Sequence, residues 1–233
     1  MKTSYSIQSL TISIPAYNDE QSLIKLVTEC QDLCTSLSLP LQMLIVNDGS
    51  FDNTPEVAER LAQKYSNIRI IHHPQNLGFG DTLKEIFMVP QTEWVLFLPG
   101  DNQFPASNLL RFLEIKDDYD YILGYRKDRK DGFLRKKYAD FYSWLVSRVS
   151  GYKVKDVNSI VFFRSSIFDR FKLNGNSAFV HTEFFLRVSE AGFRIGEVEI
   201  LHKEREFGTS AGVKPMVVLN IFKELFQYIA VKT

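Results

Sequence analysis

The 233-residue chain balances 28 Lys and Arg against 28 Asp and Glu, and 45% of its residues are hydrophobic, enough for one sizeable core. With no net charge it has no overall field to draw it to nucleic acid or to an anionic membrane, so any anion it binds must meet a local cluster. Its two cysteines, Cys30 and Cys34, leave no second pair for a zinc site and read as reduced residues four apart on one helix.

The opening MKTSYSIQSL lacks an apolar signal region, and no run approaches the roughly 20 apolar residues of a membrane helix. The expectation is a cytoplasmic protein, soluble or peripheral on the membrane face. Residues 11–15 read as a strand, followed by an amphipathic helix over 22–37 with Leu23, Leu26, Val27, Cys30 and Leu33 on one face. The continuous apolar run 41–46 suits a strand buried on both faces. Thr54, Pro55 and Glu56 read as N-cap, first-turn proline and first-turn acid of a helix reaching residue 65. Strands follow at 68–71, 93–98 and 121–123, with helices at 82–88 and 106–113 between them. The second half gives a long helix over 133–149, a strand at 160–163, a helix at 181–191, a strand at 195–201 and a closing helix over 214–229. No repeat or low-complexity linker interrupts this, so one domain is expected over 1–233. The β-α-β-α order predicts an α/β fold with a mostly parallel central sheet flanked by helices and a Rossmann-like first half.

In such sheets ligands sit beyond the carboxyl ends of the strands, which directs attention to four loops. The first strand ends in SIPAYNDE, where Tyr17 beside Asn18 and Glu20 suits a flat heterocycle with hydroxyls nearby, or a plain strand-to-helix turn. The second ends in IVNDGSFDNT, with Asp48 at a strand tip and Gly49 permitting a close backbone approach, or simply turning the chain. HHPQNLGFG resembles a phosphate-cradling loop only loosely. LFLPGDNQFP delivers Asp101 and Gln103 at the end of the fourth strand, unless Asp101 caps the helix expected just beyond Pro105.

Taken in order, IPAYNDE, VNDGSFDNT, NLGFG and LPGDNQFP resemble the nucleotide-sugar half of glycosyltransferase family 2, with its GT-A fold. The resemblance is nearest to dolichyl- and polyprenyl-phosphate sugar synthases. It continues through GYR at 124–126, DVNSIVFFR at 156–164, HTEFFLRVSEAGFRIGEVEI from His181 and EREFGTSAG from Glu204. It implies a nucleotide-sugar half over about 1–125 and an acceptor half over about 126–233. Pro15, Ala16, Tyr17 and Glu20 would line the base and ribose pocket, with Asp48 on the base edge. Asp101 and Gln103 would hold a divalent metal, Mg²⁺ or Mn²⁺, at the diphosphate. Arg126 would face phosphate or sugar oxygens, Glu183 would stand near the transferred sugar or acceptor, and Arg205 with Ser210 would engage the acceptor phosphate. Two departures stand out: Pro99 occupies a place where relatives carry an acid, and Ala211 one where they commonly carry lysine.

Mg²⁺ normally takes one or two ligands from protein and the rest from phosphates and water, so Asp101 and the Gln103 carbonyl suffice, with an ion that arrives with the nucleotide. A saccharide hydroxyl acceptor would need a base, for which Glu183 and Asp156 are candidates. A phosphate monoester is already ionised and needs positioning, which the planar fork of an arginine such as Arg205 provides. The resulting expectation is an inverting transferase using a GDP- or UDP-sugar, with a polyprenyl phosphate as acceptor. Transfer to a saccharide hydroxyl in glycan assembly, or a nucleotide-sugar-binding protein without turnover, are the alternatives. The basic stretch from Arg126 to Lys137 and the aromatics Phe133, Tyr138, Phe141 and Tyr142 read as a solvated face and core packing, or as contact with lipid headgroups. Many relatives continue into membrane spans beyond the closing helix, whereas this chain stops at Thr233, so any membrane contact is expected to be peripheral.

Overall fold

Strands and helices alternate through the chain, in a computed structural model that describes residues 5–127, 133–204 and 215–232, without the side chains of 133–136, 215 and 232. The order is β1 (Leu10–Ala16), α1 (Glu20–Ser36), β2 (Leu41–Asn47), α2 (Thr54–Lys64), β3 (Ile68–His72), α3 (Phe79–Met88) and β4 (Trp94–Phe97). Then come α4 (Asn108–Ile115), β5 (Tyr121–Arg126), α5 (Phe133–Ser150), β6 (Val161–Arg164), α6 (Phe179–Glu190), β7 (Ile195–Ile200) and α7 (Pro215–Lys232). β1 is buried at every residue, as a central strand covered on both faces must be, so that even Thr11 and Ser13, which alternate with Leu10, Ile12 and Ile14, lie inside. α1 buries Leu23, Leu26, Val27, Cys30 and Cys34, the helical spacing of one face. Both thiols are free, and burial pushes the Cys34 thiol up to about 12.

The seven strands form one sheet in the order β3-β2-β1-β4-β6-β5-β7. β1 lies parallel to β2 and β4, and β2 to β3, while β6 runs antiparallel to both β4 and β5. β5 and β7 are again parallel. Strand order therefore reverses at β1, between β2 on one side and β4 on the other, and the crevice beyond the carboxyl ends of β1 and β4 is the topological switch point.

Aromatic packing holds β6 in place. Phe162 stacks on Trp94 with ring centroids 4.5 Å apart, and Phe163 meets Phe184 of α6 edge-on at 4.8 Å on the other face. All four rings are fully buried, and each such side chain contributes roughly 2–3 kcal/mol by burial.

Two local expectations are corrected. The N-cap position of α2 is Asn53, so Thr54 is already helical; its N–H donates to Asp52 Oδ1 at 2.9 Å and its hydroxyl accepts the Asp19 N–H at 2.8 Å. α4 starts at Asn108, seven residues past Asp101, so Asp101 is not its cap; its carboxylate accepts the Gln103 N–H at 3.1 Å.

Candidate active site

The loops at the switch point are bonded to one another through the backbone. As β4 leaves the sheet, the Leu98 N–H donates to the Ser13 carbonyl at 3.0 Å and the Gly100 N–H to the Pro15 carbonyl at 3.1 Å. A side chain at residue 100 would put its Cβ 2.8 Å from that Pro15 oxygen, so glycine is what allows the Asp101 turn to lie against Pro15 and Ala16. On its far side the Gln103 carbonyl accepts the Lys203 N–H at 2.8 Å, and the Gln103 side-chain amide approaches the Lys203 carbonyl at 3.4 Å. The segment after β7 is thereby fastened beside Asp101. Arg205 and Ser210, which follow it, lie outside the described residues.

On the nucleotide side, Asn18 stitches the first two loops: its N–H donates to Ser50 Oγ at 3.0 Å and its Oδ1 accepts the Phe51 N–H at 3.0 Å. Tyr17, 40% exposed, consequently meets Phe51, 84% exposed, edge-on with centroids 6.1 Å apart. Two rings standing in water at a sheet's carboxyl end suit stacking on a flat base. Glu20 Oε2 accepts the Asn53 backbone and side-chain amides at 3.1 and 2.8 Å, closing the loop onto the start of α2.

Asp48 is buried and heavily used. Its Oδ1 lies 2.8 Å from His73 Nδ1 and accepts the Leu77 N–H at 2.8 Å, while Oδ2 accepts the Gly78 N–H at 3.1 Å. Each carboxylate oxygen has two lone pairs, so these three bonds leave one acceptor direction on Oδ2. NLG is thus a clamp on Asp48 rather than a phosphate cradle. Gly49, at φ +63°, admits the chain's own backbone, since a Cβ there would stand 2.3 Å from the Gln75 carbonyl carbon.

On the acceptor side, Arg126 presents its fork to Asp156, with Nε to Oδ2 at 2.7 Å and Nη2 to Oδ1 at 3.0 Å. Its guanidinium lies 6.0 Å from the Phe104 ring, which places the pair next to the Asp101 loop. Glu183 is 2% exposed: Oε2 accepts the Asn174 and Gly175 N–H groups at 2.9 and 2.8 Å, and Oε1 faces Arg187 Nη2 at 3.3 Å. The structure therefore brings Pro15, Ala16, Tyr17, Glu20, Asp48, Asp101, Gln103 and Arg126 to one rim and engages Glu183 with the 174–175 turn and Arg187.

Three residues escaped the sequence reading. Phe51 is an exposed aromatic whose signal was its position between Ser50 and Asp52 at a strand exit. His202, whose ring packs on Phe104 at 5.0 Å, immediately precedes Lys203 and adds a nitrogen donor near the Asp101 loop. His73 bridges Asp48 and Glu85, its Nε2 lying 3.1 Å from Glu85 Oε2; its loop was read for glycines alone. Burial of the His73 ring opposes its charge, but the bonds to Asp48 and Glu85 prevail and raise its pKa above the ordinary histidine value.

Among the described residues no group of three or more Asp, Glu, His or Cys side chains is placed to hold a metal. At the Asp101 turn the candidate donors are the Asp101 carboxylate and the Gln103 side-chain amide, with His202 nearby. That set fits a hard divalent cation sharing its coordination sphere with phosphate oxygens, not a metal held by protein alone.

The model of glycosyl transferase family 2 matches residues 11–189, and the chain belongs to that family of glycosyltransferases. An undecaprenyl-phosphate 4-deoxy-4-formamido-L-arabinose transferase of Serratia proteamaculans is 25% identical over 94% of this chain and 67% of its own length. A dodecaprenyl-phosphate galacturonate synthase of Rhizobium johnstonii is 29% identical over 96% of this chain and 69% of its own. The chain spans about two thirds of the length of such relatives. Among solved structures, glucosyl-3-phosphoglycerate synthase of Mycobacterium tuberculosis, in complex with Mn²⁺, UDP and phosphoglyceric acid, superposes with a TM-score of 0.74 at 13% identity, covering 94% of this chain and 78% of that one. Mannosyl-3-phosphoglycerate synthase of Rubrobacter xylanophilus gives 0.73 at 14% identity, covering 96% and 74%. The fold is GT-A.

Proposed function

We propose that this glycosyltransferase moves a sugar from a nucleoside-diphosphate sugar, GDP- or UDP-linked, to a polyprenyl phosphate, with inversion at the anomeric carbon. The observation that supports the reading is the Gly100–Pro15 bond, which ties the Asp101 turn to the end of β1 at the switch point, the strand end from which Tyr17 leaves to meet Phe51. Residues 1–125 then form the donor half and 126–233 the acceptor half of one domain. The names of the polyprenyl-phosphate relatives support the acceptor class.

Asp101 and the Gln103 side-chain carbonyl would hold Mg²⁺ or Mn²⁺ at the donor diphosphate, where the ion would supply Lewis-acid stabilisation of the leaving group. Tyr17 and Phe51 flank the base, Asp48 Oδ2 accepts from its edge, and Glu20 with Pro15 and Ala16 borders the ribose. The acceptor reading also has a physical argument. A hydroxyl nucleophile needs a general base, and the two candidates, Asp156 and Glu183, are each paired with an arginine. An ionised phosphate attacks without one, oriented by Arg205 and Ser210, with Arg126 held near by Asp156. The displacement forms the phosphate O–C1 bond as the C1–O bond to the nucleoside diphosphate breaks, and no proton need move.

A lipid-borne acceptor requires contact with a bilayer. α5 and α7 lie side by side through the Phe141–Phe222 and Tyr142–Phe222 ring contacts at 6.2 and 5.3 Å. Tyr142 is buried as a core residue, but Tyr138, Phe141 and Trp144 on α5 and Leu219 and Phe226 on α7 are exposed. Among the described residues no helix is long and apolar enough to cross a membrane, so this aromatic face is the proposed peripheral contact.

The test is a transfer assay with GDP- and UDP-sugars, Mn²⁺ or Mg²⁺, and short polyprenyl phosphates beside saccharide acceptors. Glycolipid product is expected. Extension of the saccharide alone would replace the acceptor class. Nucleotide binding without any transfer would favour a protein without turnover, the reading suggested by Pro99 and Ala211.

A further inference from the structure

His73 follows β3 directly, and its N–H continues the sheet by donating to the Asn47 carbonyl at 2.9 Å. Its buried ring then runs from the tip of β2 to the middle of α3, with Nδ1 2.8 Å from Asp48 Oδ1 and Nε2 3.1 Å from Glu85 Oε2. No other titratable group among the described residues is bonded to that ring. The neighbouring His72 faces away, toward Asn47 Nδ2 and Glu59.

A neutral imidazole has one N–H and one lone pair, so in either tautomer one of the two carboxylates would face a lone pair. The imidazolium alone donates to both. The two carboxylates are not equally able to leave. Asp48 is buried and tied to the Leu77 and Gly78 amides, whereas the Glu85 side chain is 36% exposed and can turn into water. When the ring loses its proton, the Nδ1–H tautomer keeps Asp48 and presents a lone pair to Glu85, so the contact that yields is the one to α3. α3 begins at Phe79, next to the Leu77–Gly78 amides that grip Asp48.

We propose that His73 is a positioning residue for the nucleotide pocket: as an imidazolium joining Asp48 to Glu85 it holds the 76–78 loop and the start of α3 against β2, so nucleotide affinity falls as pH rises. This rests on the reading above that Asp48 borders the nucleotide. The direction follows from the histidine's raised pKa: the bridge is intact at and below pH of about 6.5, and is lost as pH climbs through the higher folded-state value.

The experiment measures the Kd of UDP and of GDP with Mn²⁺ between pH 6.5 and 8.5, on the wild type, Glu85→Gln and His73→Asn. For the nucleotide that binds, the wild-type Kd is expected to rise about fivefold to tenfold across that range, the scale of one charge-assisted contact. Glu85→Gln, whose amide can donate to a neutral ring, should flatten the profile in the same buffers, which carry any titration of the nucleotide itself. His73→Asn keeps a donor for Asp48 but has no charge to lose, and should bind more weakly at pH 6.5 with no slope. A wild-type profile that is flat, or parallel to that of Glu85→Gln, overturns the proposal. A merely structural His73 would lower the melting temperature of the variants and leave the slope in place. Should His73→Asn not fold, the comparison with Glu85→Gln still decides. If neither nucleotide binds at any pH, the nucleotide reading of the rim fails, and this inference fails with it.

Discussion

The two halves of the rim treat their carboxylates differently. In the first half, Asp48, Glu20 and Asp101 accept backbone N–H groups from neighbouring loops: Leu77 and Gly78, Asn53, and Gln103. In the second, Asp156 and Glu183 face the guanidinium groups of Arg126 and Arg187, although Glu183 also gathers two amides. An amide dipole steadies a carboxylate without cancelling its charge, and Asp48 adds to its amides the His73 ring at 2.8 Å. An arginine opposes its partner's charge directly, so the carboxylates of the second half stand in ion pairs.

The largest effect should come from removing charge in the first half. Asp101→Ala is expected to lower Mn²⁺-dependent turnover at least about a hundredfold, the scale of losing one charged donor at a leaving diphosphate. Metal-dependent nucleotide binding measured calorimetrically should fall with it, and unchanged binding would remove Asp101 from the site. In the second half, Glu183→Ala strands Arg187 and the Asn174 and Gly175 amides and should cost about 2 kcal/mol in urea unfolding. Glu183→Gln retains an acceptor for Asn174 and Gly175, and its turnover should stay within about tenfold of wild type. A general base would lose about a hundredfold or more on that change.

Next comes pH. Burial of His181, between the rings of Phe87 and Phe97, depresses its pKa to about 4. Above pH of about 6.5 the residue is neutral in both folded and unfolded chains; between there and 4 only the unfolded chain takes up a proton. Stability should therefore drop by at most about 3 kcal/mol as pH falls across that window, and level off below it. His181→Gln, read by the same unfolding series, should remove that slope. The smallest change in the fold itself is expected from Phe141→Ser with Trp144→Ser, which removes two half-exposed rings and the Phe141–Phe222 contact and should shift unfolding by about 1 kcal/mol. Sedimentation with anionic vesicles should nevertheless drop, and unaltered sedimentation would remove the α5 face from membrane contact.

Much of the frame was legible. Strands rich in β-branched and apolar residues stand out between turn residues, so 41–46, 68–71 and 195–201 fall within a residue of β2, β3 and β7. The direction of β6 was not, because four apolar residues carry no sign of which way they point, and the reversal is set by the rings of Trp94 and Phe184 far away in sequence. The site divides along the same line. Asp48 and Asp101 are visible because strand-end acids beside glycine are local patterns. The engagement of Glu183 is not, since its partners are main-chain amides of a turn eight and nine residues upstream. His73 was hidden by its company: in HHPQNLGFG the glycines drew the reading, while the ring's two carboxylates come from β2 and α3.

β6 has one more effect. A reversed strand starts where its parallel neighbours finish, so the 156–159 turn that feeds it opens onto the same side as the Asp101 and Arg126 exits. A single inverted strand thus lets a stretch of chain well downstream of the donor loops come home to them without a long detour.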